Sequence, residues 1–257
     1  MVTQANDLLA LQYNQNAYLL FVFFSTICSY NFHWYLTPHA VGESDRSVWT
    51  QRHKYFHITF FILGLLGSAF FFFYFIDAWF WMLAPIALTF LYSAPKLPFR
   101  IFGLLKKVAV GKTIYLAFVW TYVTSVLPVI LNNETIRNAD LLFCASRFFL
   151  IYPICILFDY RDRENDRREG IRSMITYFTE SGINALFYGS LVAFLLVTTS
   201  LYFFQFSLLT ILFLLIPGII VAILFEPAKK NFSDYLYYFI LDGLMMFSSV
   251  LTLLQHF

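Results

Sequence analysis

Three aspartates, Asp159, Asp162 and Asp166, follow one another at offsets of three and four residues, so a helix through them carries all three carboxylates on one face. Carboxylate oxygens gathered in this way suit a hard divalent cation such as Mg²⁺, which keeps much of its water and commonly bridges to the phosphates of a substrate. The same segment has a plainer reading. Between Asp159 and Arg172 the acids Asp159, Asp162, Glu164, Asp166 and Glu169 are matched by the arginines Arg161, Arg163, Arg167, Arg168 and Arg172. The run therefore also reads as a solvated segment closed by ion pairs, with Asp159 meeting Arg163 one turn on. In either case the charges begin where the apolar run 148–158 ends, which puts Asp159 where a membrane helix meets water.

Charge is scarce elsewhere. Of 257 residues 60% are hydrophobic and 12% charged, against about 25% charged in an average globular domain, and the mean hydropathy is +0.69. The chain reads as an all-α polytopic membrane protein, a single integral membrane domain over residues 1–257. Its 33 Phe and 17 Tyr suit interfacial belts and lipid-facing surface, and would also line a cavity. Cys28, Cys144 and Cys155 lie within apolar runs at no regular spacing, which indicates neither a disulfide framework nor a zinc site. The basic residues sit in short juxtamembrane loops, so a nucleic-acid partner has no support. Residues 1–16 are largely polar and lack a basic start, unlike a cleavable signal peptide, and the first apolar run is expected to stay as a helix.

The elements that must position the aspartates are membrane helices. About 30 Å of hydrocarbon needs about 20 helical residues, and eight runs are expected to span: Ala17–Leu36, Tyr55–Ile76, Ala78–Tyr92, Val108–Leu131, Leu141–Phe158, Ala185–Phe204, Leu208–Phe225 and Tyr235–Leu254. The third is short and carries Pro85, which predicts a kink. Fifteen of the 17 basic residues fall in alternate loops: Arg46, Arg52 and Lys54; Lys96, Arg100, Lys106, Lys107 and Lys112; the five arginines after Asp159; and Lys229 with Lys230. The positive-inside rule makes those four loops cytoplasmic and places both termini on the opposite side. Arg137 lies in an intervening turn. Arg147 falls inside the fifth run, where it either snorkels or faces the bundle interior. Similar helix exits at Leu91-Tyr92-Ser93-Ala94-Pro95-Lys96 and Leu224-Phe225-Glu226-Pro227-Ala228-Lys229 suggest an internal repeat of about 17–131 and 141–257, which would bring corresponding helix ends to one face.

Asp159-x-x-Asp162-x-x-x-Asp166, with its arginines, Gly170 and Arg172-Ser173, resembles the second aspartate-rich motif of the UbiA-type intramembrane prenyltransferases. Tyr92-x-x-x-Lys96 is similar to that family's Tyr-x-x-x-Lys element, and the order of helices agrees from about Ala17 to the C-terminus. The resemblance implies a UbiA-like helical bundle and an activity: transfer of a prenyl group from a polyprenyl diphosphate to a hydrophobic acceptor within the membrane, with Mg²⁺ as cofactor. It assigns Asp159, Asp162 and Asp166 to metal and catalysis, and Asn31, Tyr92, Lys96, Arg163 and Arg167 to the substrate. Lys96 would hold the diphosphate as a point charge and Tyr92 would donate a hydrogen bond, while aromatic faces would stabilise the allylic cation. Without the second motif, Tyr92 and Lys96 read as an interfacial aromatic beside a positive-inside lysine.

The first aspartate-rich motif departs from the family. Members read Asn-Asp-x-x-Asp-x-x-x-Asp, and the best placement here is Asn31-Phe32-His33-Trp34-Tyr35-Leu36-Thr37-Pro38-His39, where Asn31 alone survives and Phe32, Tyr35 and His39 stand at the aspartate positions. Glu43 and Asp45 follow in the loop. Members also have nine helices where eight are expected here, as though the first were missing, with Leu8-Leu9-Ala10-Leu11 as a remnant of its end. The alternative function is therefore a non-catalytic isoprenoid or lipid-phosphate binding relative without the first metal motif. His53-x-x-x-His57 with His33 and His39 suggests the histidine boxes of membrane di-iron oxygenases, but five histidines in all fall short of such a set. Asp242-Gly243 matches only the start of the CDP-alcohol phosphotransferase motif, although an aspartate inside an apolar run is a candidate to face a cavity. Gly64-Leu65-Leu66-Gly67 reads as a close helix contact.

Overall fold

In hydrocarbon each backbone N–H and C=O must be satisfied within its own segment, so long apolar runs fold as helices. The computed structural model describes residues 1–36, 45–93, 111–132, 134–168 and 173–254, the side chains of 45–47, 51, 92 and 93 excepted. Among the described residues there are helices and no strands. Six helical stretches are long and apolar enough to cross a membrane: Lys54–Leu91, Lys112–Leu131, Asn138–Arg168, Glu180–Phe204, Leu208–Lys230 and Tyr235–Leu253. The chain is an all-α polytopic integral membrane protein. It divides into two compact units, residues 12–106 and residues 1–11 with 107–257.

In the unit 12–106, α2 (Gln15–Leu36) packs along α4 (Lys54–Phe72), with the short α3 (Asp45–Arg52) before it. The α2–α4 approach depends on Gly64: a Cβ there would stand 2.6 Å from the Cys28 backbone nitrogen and 2.8 Å from the Phe24 carbonyl oxygen, and one at Gly67 would overlap the Phe24 ring. The two glycines thus form the close contact expected from their spacing. Two of the expected spans, Tyr55–Ile76 and Ala78–Tyr92, form one helical stretch, Lys54–Leu91. It passes through a 3-10 segment, Phe73–Ala78, in which Phe75 leaves helical geometry (φ −123°, ψ 28°), and continues as α5 (Trp79–Ser93). The buried Phe75 ring meets Tyr18 of α2 edge-on at 5.8 Å. The expected first span is α2, whose 22 residues are sufficient in length. Ser25, Thr26, Ser29, Asn31 and His33 lower its hydropathy, and it is not among the six. That merger and that polarity account for six stretches where eight were expected.

The other unit is built round one helix. It holds α1 (Val2–Leu8), α6 (Lys112–Leu131), α7 (Asn138–Arg168), α8 (Met174–Tyr177), α9 (Glu180–Ser200) with a 3-10 turn Leu201–Phe204, α10 (Leu208–Lys230) and α11 (Tyr235–Leu253). α6, α9, α10 and α11 pack against α7, and every residue from Leu150 to Leu157 is buried, as befits a helix apolar on all sides. Ile151, Ile154 and Leu157 share a core with Ile183, Phe187, Val221, Phe225 and Leu241, in which the rings of Phe187 and Phe225 stack at 3.9 Å. Ser173, Thr179 and Ser207 cap α8, α9 and α10 by accepting from the backbone N–H three residues on, at 3.3, 3.2 and 3.1 Å.

Arg147 faces the interior of this unit. Its guanidinium donates to Ser248 Oγ at 2.9 Å and Ser146 Oγ at 3.0 Å and lies against the rings of Phe143 and Phe194. Gln4 of α1 donates to Thr252 at 3.2 Å and accepts from Ser248 and Ser249, so a polar layer ties α1, α7 and α11 together. Arg137 donates to the Leu9 carbonyl at 2.7 Å, closing the end of α1, and pairs with Asp140 in the first turn of α7 at 2.7 Å.

Candidate functional site

The buried run of α7 delivers Asp159 and Asp166 to one cation. Asp159 is 2% exposed and Asp166 6%. Lys112, the first residue of α6, places its Nζ 3.3 Å from Asp159 Oδ1 and 3.1 Å from Asp166 Oδ2. Thr113 Oγ1 donates to Asp159 Oδ2. Two carboxylates from one helix and an ammonium and a hydroxyl from its neighbour thus form a largely buried cluster where the apolar core ends. Asp162, the middle aspartate, is half-exposed and accepts from Arg161 Nε at 3.0 Å.

Arg163 does not pair as helix spacing suggests, whereas Arg167 does. Arg163 donates to Glu180 Oε1 at 2.6 Å and to the Phe178 carbonyl at 3.1 Å. Arg167 pairs with Glu164 at 2.7 Å. Both substrate-assigned arginines therefore carry protein partners, and Arg163 braces the start of α9. Glu180 also meets Lys229 Nζ at 3.3 Å, and Lys229 donates to Asn184 at 3.2 Å. Arg161 stacks on Phe158, Tyr237 and Tyr238, with its guanidinium 5.4, 4.8 and 4.7 Å from the ring centroids, and donates to Tyr238 Oη at 2.7 Å. Its buried Nη1 has no hydrogen-bond partner among the described residues.

Of the first-motif positions, Asn31 and Phe32 are taken up by helix packing, and Tyr35 is exposed. Asn31 donates to the Ile27 carbonyl at 2.8 Å, and its Oδ1 lies 2.8 Å from His57 Nδ1, joining α2 to α4. Phe32 stacks on Phe61 at 5.4 Å. His39 and Lys96 lie outside the described residues, as does the side chain of Tyr92. Lys112 and Thr113 were not singled out by sequence reasoning, which counted Lys112 only among basic loop residues. The one local signal was a Lys-Thr pair opening an apolar run.

The donor set at Asp159 and Asp166 fits a hard divalent cation in kind, because two carboxylates already converge on one cation position. Among the described residues no group of three His, Cys, Asp or Glu side chains is arranged to hold a metal, and Asp162 would have to leave Arg161 to become a third ligand.

A family model described as the UbiA prenyltransferase family matches residues 40–235. No curated protein and no solved structure matches the chain.

Proposed function

The chain belongs to the UbiA prenyltransferase family, and from that premise we propose that it transfers a prenyl group from a polyprenyl diphosphate to a hydrophobic acceptor in the membrane, at a site facing the cytoplasm. Membership supports prenyltransferase activity in general. What supports the finer reading is the convergence of the buried Asp159 and Asp166 on one cation at the end of α7. Asp159 and Asp166, joined by Asp162, would hold Mg²⁺, which when bound neutralises charge on the departing diphosphate. Thr113 fixes the orientation of Asp159 through its hydrogen bond. Arg161 keeps Nη1 as a donor for the diphosphate while its other nitrogens hold Asp162 and Tyr238. By the family's pattern Tyr92 and Lys96 are assigned to substrate binding.

The second reading is a non-catalytic isoprenoid or lipid-phosphate binder, favoured by Phe32 packed on Phe61 where the family carries an aspartate. The test is binding of a polyprenyl diphosphate to the purified chain with and without Mg²⁺, for the native protein, Asp159→Asn and Asp162→Asn. Mg²⁺-dependent binding that Asp159→Asn abolishes supports the enzyme reading. Binding indifferent to Mg²⁺ and to both substitutions overturns it and leaves the second reading.

A further inference from the structure

Lys112 lies against both carboxylates read above as metal ligands, and its role rests on that reading. The Lys112 ammonium already stands at contact distance from both carboxylates, 3.3 and 3.1 Å, on a side chain that is 19% exposed. It comes from α6 while the carboxylates come from α7, and 47 and 54 residues separate it from them along the chain. Its place is therefore set by helix packing and not by local sequence. An ammonium and a divalent cation drawn to the same oxygens repel each other across the site, and in a largely buried setting that repulsion is weakly screened.

We propose that Lys112 is an exchangeable internal cation: it holds Asp159 and Asp166 together while the metal is absent, and a divalent cation binds only by displacing it. The resident ammonium keeps two buried carboxylates from repelling each other, a role that an acidic pair needs whenever its metal has left. Lysine suits exchange. It is a point charge on a flexible four-carbon stem, whereas an arginine fork would grip the carboxylates bidentately and leave less readily. Bare metal accordingly binds this chain weakly, because each binding event includes the displacement of Lys112.

The probe is Mn²⁺, followed by electron paramagnetic resonance on the purified full chain in nanodiscs with no diphosphate present. Native chain, Lys112→Gln and Lys112→Arg are titrated after each is shown to be folded by its thermal melt. Removing the competing charge tightens Mn²⁺ binding by about tenfold or more in Lys112→Gln, and the firmer clamp weakens it by about threefold or more in Lys112→Arg. If Lys112→Gln does not fold, the Arg variant decides alone: Mn²⁺ affinity equal to or above native overturns the exchange. In parallel, geranylgeranyl diphosphate binding to the native chain is measured with and without Mn²⁺. Equal Mn²⁺ affinity in all three chains, alongside Mn²⁺-dependent diphosphate binding, overturns the exchange and leaves the functional reading standing. No Mn²⁺ binding in any chain, with diphosphate binding indifferent to Mn²⁺, overturns both.

Discussion

At the scale of single residues, burial decides which polar contacts carry stability. Asp159 is almost fully enclosed, and its Oδ2 accepts from Thr113. Thr113→Val keeps the shape of the side chain and removes the donor, leaving a buried charged acceptor short of one partner. The expected loss is about 1–3 kcal/mol, measured as a lower thermal midpoint in detergent against native. Arg147 presents the opposite case. It is 1% exposed, its Nε has no partner among the described residues, and no carboxylate there pairs with it. Replacing it orphans nothing, because Ser146 keeps Thr198 at 2.7 Å and Ser248 keeps Gln4 at 3.2 Å. Arg147→Met is therefore expected to melt at or above the native midpoint, since exchanging a buried charge for an apolar side chain of similar volume is often neutral or stabilising by about 1–4 kcal/mol. Arg147→Ala should fall below the Met variant by about 2–5 kcal/mol, the cost of the cavity. A Met variant that melts well below native would show that the guanidinium holds α1, α7 and α11 together more firmly than its contacts indicate.

At the scale of elements, the four glycines Gly64, Gly67, Gly189 and Gly243 separate by what surrounds them. Gly64 faces the backbone of α2, which cannot rotate away, so Gly64→Ala is expected to destabilise by about 1–3 kcal/mol. Gly67 faces the Phe24 ring, which has room to shift only as a side chain, and Gly67→Ala should cost less. Gly189 and Gly243 have nothing within 4 Å of a new Cβ, and alanine there should leave the midpoint unchanged or raise it by up to about 1 kcal/mol through helix propensity. A set of thermal melts that fails to rank Gly64→Ala lowest would sink this account of the α2–α4 contact. The elements themselves were readable: the last five expected spans correspond to α6, α7, α9, α10 and α11 with ends shifted by a few residues, α7 extending furthest. Apolar runs mark length but not continuity, so the sequence did not show that the second and third spans join through Phe75. The site was legible only along one helix. The spacing of Asp159, Asp162 and Asp166 put them on a common side of α7, but their partners were set by other helices. Asp159 is buried where Lys112 and Thr113 of α6 reach it, and Arg163 is drawn to Glu180 of α9. No rule of local spacing contains those pairings.

At the scale of the whole molecule, the Lys54–Leu91 stretch decides which way the chain runs through the bilayer. Its 38 residues span about 57 Å as one straight helix, almost twice the hydrocarbon thickness of about 30 Å. Arg52 and Lys54 stand at its start, and Lys96, Arg100, Lys106, Lys107 and Lys112 follow its end. Basic loops belong on the cytoplasmic side, and a single crossing would put one of these two clusters on the wrong side. Two crossings place both inside and require a reversal near the middle, where the 3-10 segment Phe73–Ala78 and the non-helical Phe75 interrupt the helix. Asp77, the one charged residue between the clusters, then lies at the outer surface. The prediction is tested with single cysteines at Asp77 and Lys106 in a background with Cys28, Cys144 and Cys155 replaced, labelled in intact cells by a membrane-impermeant maleimide. Asp77→Cys should label from outside, and Lys106→Cys should label only after the membrane is opened. Labelling of both from the same side would show that the stretch does not turn at Phe75, and the reverse pattern would show a turn of the opposite orientation; either outcome overturns the prediction. It would also remove the argument for a cytoplasmic Asp159, because every later helix inherits its direction from this one.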